Sequence, residues 1–455
     1  MASVPPLRLG LISFAWTRHN NGGLRSHVID IANKLATMDV QVFIHCVNSN
    51  PSAPPFETCS WMEGTIHIQE MNYAYQNISS LLDFQRVPQA EIVLTEWVQR
   101  LKLDVVDIHH CLYIGIRTIK KLAKHVPVVS TLHDYWALDP RGQLFCNNNH
   151  NHKIMSPEAW EEGASLTWPH FVNKSKEALS YYAGSPKTPK ASGTSLKDAW
   201  IKYSRDCLSE SQLLITPSKA SALTFLRNGI NQAIQVVENG IDTSALYDGI
   251  KSEKRPNPEH NSTEVLHLTI LGNIIPSKGQ LAFCRACLVP GLINRVKINL
   301  HGSFPDTYHG DTRPQNALRE LCKLHPNHLT AHGPYERSQL STIFANSDLV
   351  VMPSLWEEVY GLVAREALCY GLPLIISDAG GLSDLANRSH VFCLDHTNPL
   401  GWSKTLLNGL DNGPLYKWVY ERRQGIPPQD NQVRSSDECT AELKQIYLNV
   451  LNSST

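Results

Sequence analysis

Along the chain, short runs rich in leucine, isoleucine and valine are each followed by a stretch in which apolar residues return every three or four positions. The first run, LRLGLISF, leads into SHVIDIANKLATM and then VQVFIHCV. A buried strand reads as a continuous apolar run and an amphipathic helix as a 3.6-residue repeat, so this order predicts a βαβ unit with parallel strands. Further strands are expected at DVVDIHH, PVVSTLH, QLLITPS and AIQVVEN, which makes one α/β lobe over residues 1–240. A second series starts afresh with HLTILGN, KINLHGS, LTAHGPY, DLVVMPS, LPLIISD and HVFCLD. Helical patterns at 280–288, 315–323, 338–346 and 362–370 lie between them and predict a second doubly wound lobe over 241–435. The closing ECTAELKQIYLNVLN has helical spacing, and 436–455 is expected to be a helix that closes the chain.

Two stretches break this rhythm. Residues 139–200 carry an Asn/His-rich tip, NNNHNHK, and a Gly/Ser/Pro/Lys stretch, AGSPKTPKASGTS, too polar to bury a face of its own, which predicts a mobile flap. His150 and His152 in the tip have the chemistry of metal ligands, but histidines on a polar loop are ordinarily solvated. Residues 251–262, KSEKRPNPEHNS, read as a surface loop near the hinge of the two lobes.

Composition narrows the function. At 455 residues the chain is long enough for two cores, in keeping with two lobes. A formal charge of −1 excludes a dedicated nucleic-acid binder, which needs a basic excess against phosphates. Eleven irregularly spaced cysteines argue for a reducing compartment, and the lone CxxC at Cys284 and Cys287 lacks the second pair a zinc ribbon needs. No run approaches the roughly 20 apolar residues that cross a bilayer, so a cytoplasmic protein is expected. The helical stretch 114–126 sets Arg117, Lys120, Lys121 and Lys124 beside an apolar stripe. That face suits peripheral docking on the inner membrane surface as well as its commoner solvated role.

In parallel α/β sheets the ligand lies beyond the carboxyl ends of the strands, so residues just after predicted strands carry the candidate chemistry. After the first strand comes Asn20-Asn21-Gly22-Gly23, where glycines let backbone approach a ligand, and then a helix containing His27. After PVVSTL stands His133, an imidazole able to bond a sugar hydroxyl, with Asp134 placed to orient it. The run LGNIIPSKGQ puts Lys278, a mobile point charge suited to a diphosphate, at a strand-to-helix turn beside Gly279. After DLVVMPS come Glu358 and Glu366, with Tyr360 and Gly361 between them and a helix beginning near Gly361. Such a helix start offers free N–H groups to phosphates, while the two carboxylates accept hydrogen bonds from hydroxyls. A glycosidase pair would flank one anomeric carbon, and carboxylates divided between a loop and a helix suit ligand binding better.

Taken together, NGGLRSHVIDIANKL, STLHDYW, TPSKA, VVENGID, SKG and ANSDLVVMPSLWEEVYGLVAREALCYGLPLIISDAGG resemble glycosyltransferase family 4 in order and spacing. The resemblance implies the GT-B fold, two Rossmann-like lobes facing each other across a cleft, with the donor on the second lobe and the acceptor on the first. It implies a retaining transfer from a UDP- or GDP-sugar to a glycan or lipid-linked acceptor, as in surface polysaccharide or glycolipid synthesis. The nucleotide-sugar is then a co-substrate, and no cofactor or essential metal is expected. Carried over residue by residue, His133 and Glu358 act on the donor sugar, and Gly22 and Gly23 lie against the reacting groups. Lys278 holds the diphosphate, the Tyr360, Gly361 and Leu362 backbone cradles the phosphates, and Glu366 binds the ribose. One departure stands out: where the family usually carries an arginine ahead of the lysine, this chain has Asn273, which offers hydrogen bonds without charge. A nucleotide-sugar epimerase of the same fold and a non-catalytic carbohydrate-binding relative are the alternatives, because fold does not fix function.

Overall fold

The computed structural model describes residues 5–14, 16, 23–50, 52–73, 80–146, 150–151, 155–182, 195–242, 265–426 and 428–454. The chain divides into two compact units, one of Met1–Leu144, Lys153–Gly240 and Ser436–Thr455, the other of Phe145–His152 and Ile241–Ser435.

The first unit is built on an eight-stranded sheet. Its strands are β1 (Leu7–Ser13), β2 (Val40–Asn48), β3 (Thr58–Glu63), β4 (Ile66–Asn72), β5 (Val105–Ile108) and β6 (Val128–Thr131). A two-stranded hairpin of β7 (Phe145–Cys146) and β8 (His150–Asn151) intervenes before β9 (Leu213–Thr216) and β10 (Ile234–Val236) complete the sheet. The order is β10-β9-β6-β5-β1-β2-β4-β3, and β3 alone runs antiparallel to its neighbour. The hairpin of β3 and β4 is not in the sequence expectation. Its edge strand TCSWME is largely exposed and lacks the apolar run by which its neighbours announce themselves. The helix Ser436–Ser454 packs Leu443, Ile446, Tyr447 and Val450 into the same core as Val28, Ile31 and Leu35 of the helix Gly23–Leu35.

The second unit carries β11 (Leu266–Leu271), β12 (Val296–His301), β13 (Leu329–Gly333), β14 (Leu349–Met352), β15 (Leu374–Ser377) and β16 (Val391–Leu394). All its neighbours are parallel, in the order β13-β12-β11-β14-β15-β16. Every residue of β14 and β15 is buried, which is why LVVM and LIIS read as unbroken apolar runs. In such a sheet the chain reverses direction of growth at one point, and ligands bind there beyond the carboxyl ends. That point falls between β11 and β14 in this unit and between β1 and β5 in the first.

The polar stretches on which the flap expectation rested lie almost wholly outside the described residues; around them Pro157–Thr167, Pro169–Tyr182 and Leu196–Leu208 are helices. Aromatic burial orders them. The Trp160 and Trp200 indoles are 1% exposed and donate to the Leu138 and Trp136 carbonyls, and Trp136 meets Trp200 edge-on at 5.4 Å. The side chain of His150, all of His152 and residues 183–194 lie outside the described residues, as does 251–262.

Candidate active site

In the second unit, the loop after β11 and the loop after β14 are fastened together. The Leu355 and Trp356 amides both donate to the Ser277 carbonyl, at 2.8 and 3.2 Å. Gly279 makes this approach possible: its φ is +73°, and a Cβ there would stand 1.8 Å from the Pro353 carbonyl oxygen. The consequence is that Lys278 and Glu358 meet, with Nζ 2.5 Å from Oε1. Ser354 Oγ donates to the same oxygen at 2.6 Å, and the lysine also lies 5.2 Å from the Trp356 ring. Glu358 is nearly buried at 5% side-chain exposure, while Lys278 is open at 24%.

Gly361, at φ +81°, caps the helix Leu362–Cys369. Gly361, Leu362 and Val363 are partly exposed while Ala364 to Cys369 are buried, so only the first turn of this helix presents itself to solvent. The loop before it is held from both sides. Arg365, buried beneath it, donates to the Tyr360 carbonyl and stacks on the Tyr360 ring at 3.6 Å. The Gly381 amide donates to the Glu358 carbonyl at 2.5 Å, and a Cβ on Gly380 would lie 2.2 Å from that oxygen. Glu366 sits farther along, its Oε1 3.8 Å from Arg337, and burial together with that carboxylate raises the Tyr335 phenol above its ordinary range. Asn273 is exposed, and its carbonyl accepts from Gln280 Nε2 at 3.0 Å. Cys284 and Cys287 are buried thiols whose pKa burial raises, as expected of packing residues.

In the first unit, His133 follows β6 and His109 follows β5 directly, and their rings stack with His109 Nδ1 2.8 Å from His133 Nε2. His27, on the helix after β1, lies 5.1 Å from the His133 ring. Burial and then neighbouring imidazoles hold His133 well below the usual histidine range, and the same two causes push His27 down to about 3. Asp107 anchors the group from β5: its carboxylate accepts from Thr131 and Tyr447 and stands 3.6 Å from His109 Nε2. Asp134 does not orient His133. Its carboxylate accepts from His110 Nε2 at 2.9 Å and from the Trp136 amide, so it caps the following turn.

The structure thus brings Lys278, Glu358, Tyr360, Gly361 and Leu362 together, with Glu366 on the helix beyond. Gly23 opens its helix in the first unit, and Gly22 lies outside the described residues. Sequence reading missed Arg337, Arg365, Ser354 and His109. Of these His109 and Ser354 had a signal, as residues just past apolar runs. A groove of about 780 Å³ elsewhere in the second unit is lined by His267, Asn299, His301, Asp348 and Arg423 and contains none of these residues. Arg117 and Lys120 of the basic stretch pair with Glu91 and Glu210, in keeping with its solvated role. No helix among the described residues is long and apolar enough to cross a membrane.

Two doubly wound units, each with polar side chains gathered at the carboxyl edge beside its switch point, make up the GT-B fold. The solved structures with this fold include sucrose-phosphate synthase from Thermosynechococcus elongatus, with a TM-score of 0.64 at 14% identity over 98% of this chain and 100% of that one. Anabaena HepE in complex with UDP and glucose has a TM-score of 0.57 at 16% identity over 97% of this chain and 99% of that one. Residues 21–245 match the family described as Glycosyltransferase Family 4 and residues 266–412 match Glycosyl transferases group 1. The chain belongs to glycosyltransferase family 4. Among curated relatives, the D-inositol 3-phosphate glycosyltransferase of Mycolicibacterium smegmatis is 28% identical over 202 residues, 44% of this chain and 45% of that one. A probable glycogen synthase of Methanocaldococcus jannaschii is 36% identical over 89 residues, 20% of this chain and 17% of that one. The matches to these two relatives therefore span less than half of their length.

Proposed function

We propose that this chain is a retaining glycosyltransferase that uses a UDP- or GDP-sugar and passes the sugar to a glycan or lipid-linked acceptor. The observation that carries this is the Lys278–Glu358 pair lying next to an exposed helix start at the switch point of the second sheet. The helix start supplies backbone donors to the diphosphate, and these dipoles are fixed before the donor arrives, so they stabilise the leaving group without reorganisation. Glu358 accepts from donor-sugar hydroxyls. When those hydroxyls take over the carboxylate, Lys278 is released to the phosphates, so sugar recognition and charge neutralisation are exchanged in one step. Glu366 takes the ribose, and His133, neutral at physiological pH, accepts from or donates to the sugar without adding charge. The bound UDP in Anabaena HepE supports a uridine donor first, with a guanosine donor as the second choice. The first unit holds the acceptor in this reading, without an essential metal.

The test is a panel of UDP-, GDP- and ADP-sugars offered to the purified chain with glycan and polyprenyl-phosphate acceptors, product stereochemistry being read by NMR. An α-linked product from an α-donor is expected. Inversion of configuration would sink the mechanism, and epimerised free sugar-nucleotide without transfer would establish the epimerase alternative instead.

A further inference from the structure

We propose that His27, His109 and His133 form a three-imidazole site for a divalent transition metal of the zinc type, and that occupying it withdraws His133 from the donor sugar. The site itself rests on the geometry of the first unit alone. Its consequence for transfer rests on the role given above to His133.

One ring nitrogen from each histidine lies within 4.8 Å of the others. His27 and His109 are buried and His133 is partly exposed, so solvent reaches the group at His133. Three protein ligands with a fourth position open to solvent is the pattern of a non-structural zinc site. A metal also needs unprotonated ligands. Burial lowers the pKa of all three rings; neighbouring imidazoles add to this at His27 and His133, and Asp107 opposes it at His109.

The surroundings supply what metal-ligating histidines usually have behind them. His109 offers Nδ1 toward His133 and turns Nε2 toward Asp107 at 3.6 Å. Thr131 and Tyr447 fix that carboxylate by hydrogen bonds of 2.9 and 2.7 Å, and a shift of a few tenths of an ångström would let it accept from His109 Nε2 and orient the ring for a metal. Zn–N bonds of about 2.0–2.1 Å in a tetrahedron set nitrogens roughly 3.3 Å apart. The His109–His133 pair, at 2.8 Å, must therefore open by about half an ångström as the metal replaces its shared proton. The remaining nitrogens, within 4.8 Å of one another, must close by side-chain rotation. A donor set of three imidazoles and no carboxylate selects zinc, nickel or copper over magnesium or manganese. The bound ion is thus an inhibitor that competes with the sugar for His133, and is distinct from a cation that would neutralise a diphosphate.

The experiment uses the full chain stripped with chelator and titrated with Co²⁺ and Zn²⁺. We expect one equivalent per chain, intense visible bands from a four- or five-coordinate Co²⁺, and loss of both in His27→Gln and in His109→Gln. Cooperative thermal unfolding of each variant establishes that it is folded. Binding that persists unchanged in both folded variants places the ion elsewhere and overturns the proposal, as does failure of wild type to bind Co²⁺ at micromolar concentration. In wild type, zinc should abolish transfer at one equivalent and chelator should restore it. Stoichiometric binding without inhibition would leave the site standing and remove His133 from the reaction.

Discussion

Replacing Lys278 by methionine keeps most of the stem and removes the charge. The ammonium lies 2.5 Å from a Glu358 oxygen whose only other named donor is Ser354 Oγ, and the carboxylate is 5% exposed. Removing one member of a buried pair costs about 3–5 kcal/mol when water is fully excluded. Lys278 is 24% exposed, so water reaches the vacated space and the stability loss should fall nearer about 1–3 kcal/mol. On the donor side, one charge-assisted hydrogen bond contributes about 1.5–3 kcal/mol, so kcat/KM should fall by roughly tenfold to a few hundredfold. The two effects separate in a double-mutant cycle with Glu358→Gln, which preserves an amide oxygen for the sugar. Because the residues share one interaction, the double variant should lose less than the product of the single losses, by a coupling of about 1–2 kcal/mol. The assay is steady-state release of nucleoside diphosphate, beside urea denaturation of each variant. Wild-type kcat/KM in Lys278→Met, or strict additivity in the cycle, would refute the pairing as a functional element.

Gly279→Ala should lower thermal stability by about 2 kcal/mol or more and impair transfer with it, since it adds left-handed strain to a contact with the Pro353 carbonyl; unchanged melting would contradict this. His45 is buried beside Trp97 with neither nitrogen bonded among the described residues, and burial pushes its pKa down to about 3. The unfolded chain takes up a proton there below about pH 6.5 while the folded one does not, so this residue erodes stability as pH falls from 6.5 toward 3. His45→Met should raise Tm and flatten that acid limb, and an unaltered slope of Tm against pH would count against it. Asn273→Arg should be tolerated, because the side chain is exposed, and should tighten nucleotide binding measured by calorimetry; a loss of folding would show that the position is closed. Prolonged EDTA treatment should leave transfer intact or raise it, and an activity that vanishes and returns only with Mn²⁺ would exclude the metal-independent mechanism.

The parallel sheets were legible because their strands are buried on both faces and need no partner pattern to be seen. LVVM and LIIS could hardly be anything else. The edge strand TCSWME escaped because edge strands are written in polar residues, and the helix Pro157–Thr167 escaped because a tryptophan cluster holds it. Glu358 and Lys278 stood out as candidates from their place after strands, and Glu366 from the helix that follows. The pairing of Glu358 with Lys278 did not, because it depends on two loops 80 residues apart fastened through Ser277 and Gly279. The histidine group was half legible. His133 and His27 stood out in sequence, but the role of His109 depends on β5 and β6 being neighbours, which no local pattern states.

Asn273 first suggested a shortage of positive charge, and the packing gives that shortage a definite form. Lys278 is matched by Glu358, Arg337 lies against Glu366, and Arg365 is spent on the Tyr360 carbonyl and ring. These named cations each already have an acceptor. In the proposed mechanism a diphosphate arriving at such a surface is met first by fixed N–H dipoles at the Gly361 to Val363 turn, and by a mobile charge only if something else satisfies Glu358. In that mechanism the sugar hydroxyls are that something. Linkage then runs both ways: a donor whose hydroxyls fit the carboxylate frees the lysine, and a phosphate that captures the lysine leaves the carboxylate seeking hydroxyls. An arginine at position 273 would supply charge unconditionally and weaken this dependence. With asparagine there, the proposed mechanism makes recognition of the sugar and stabilisation of its leaving group depend on each other.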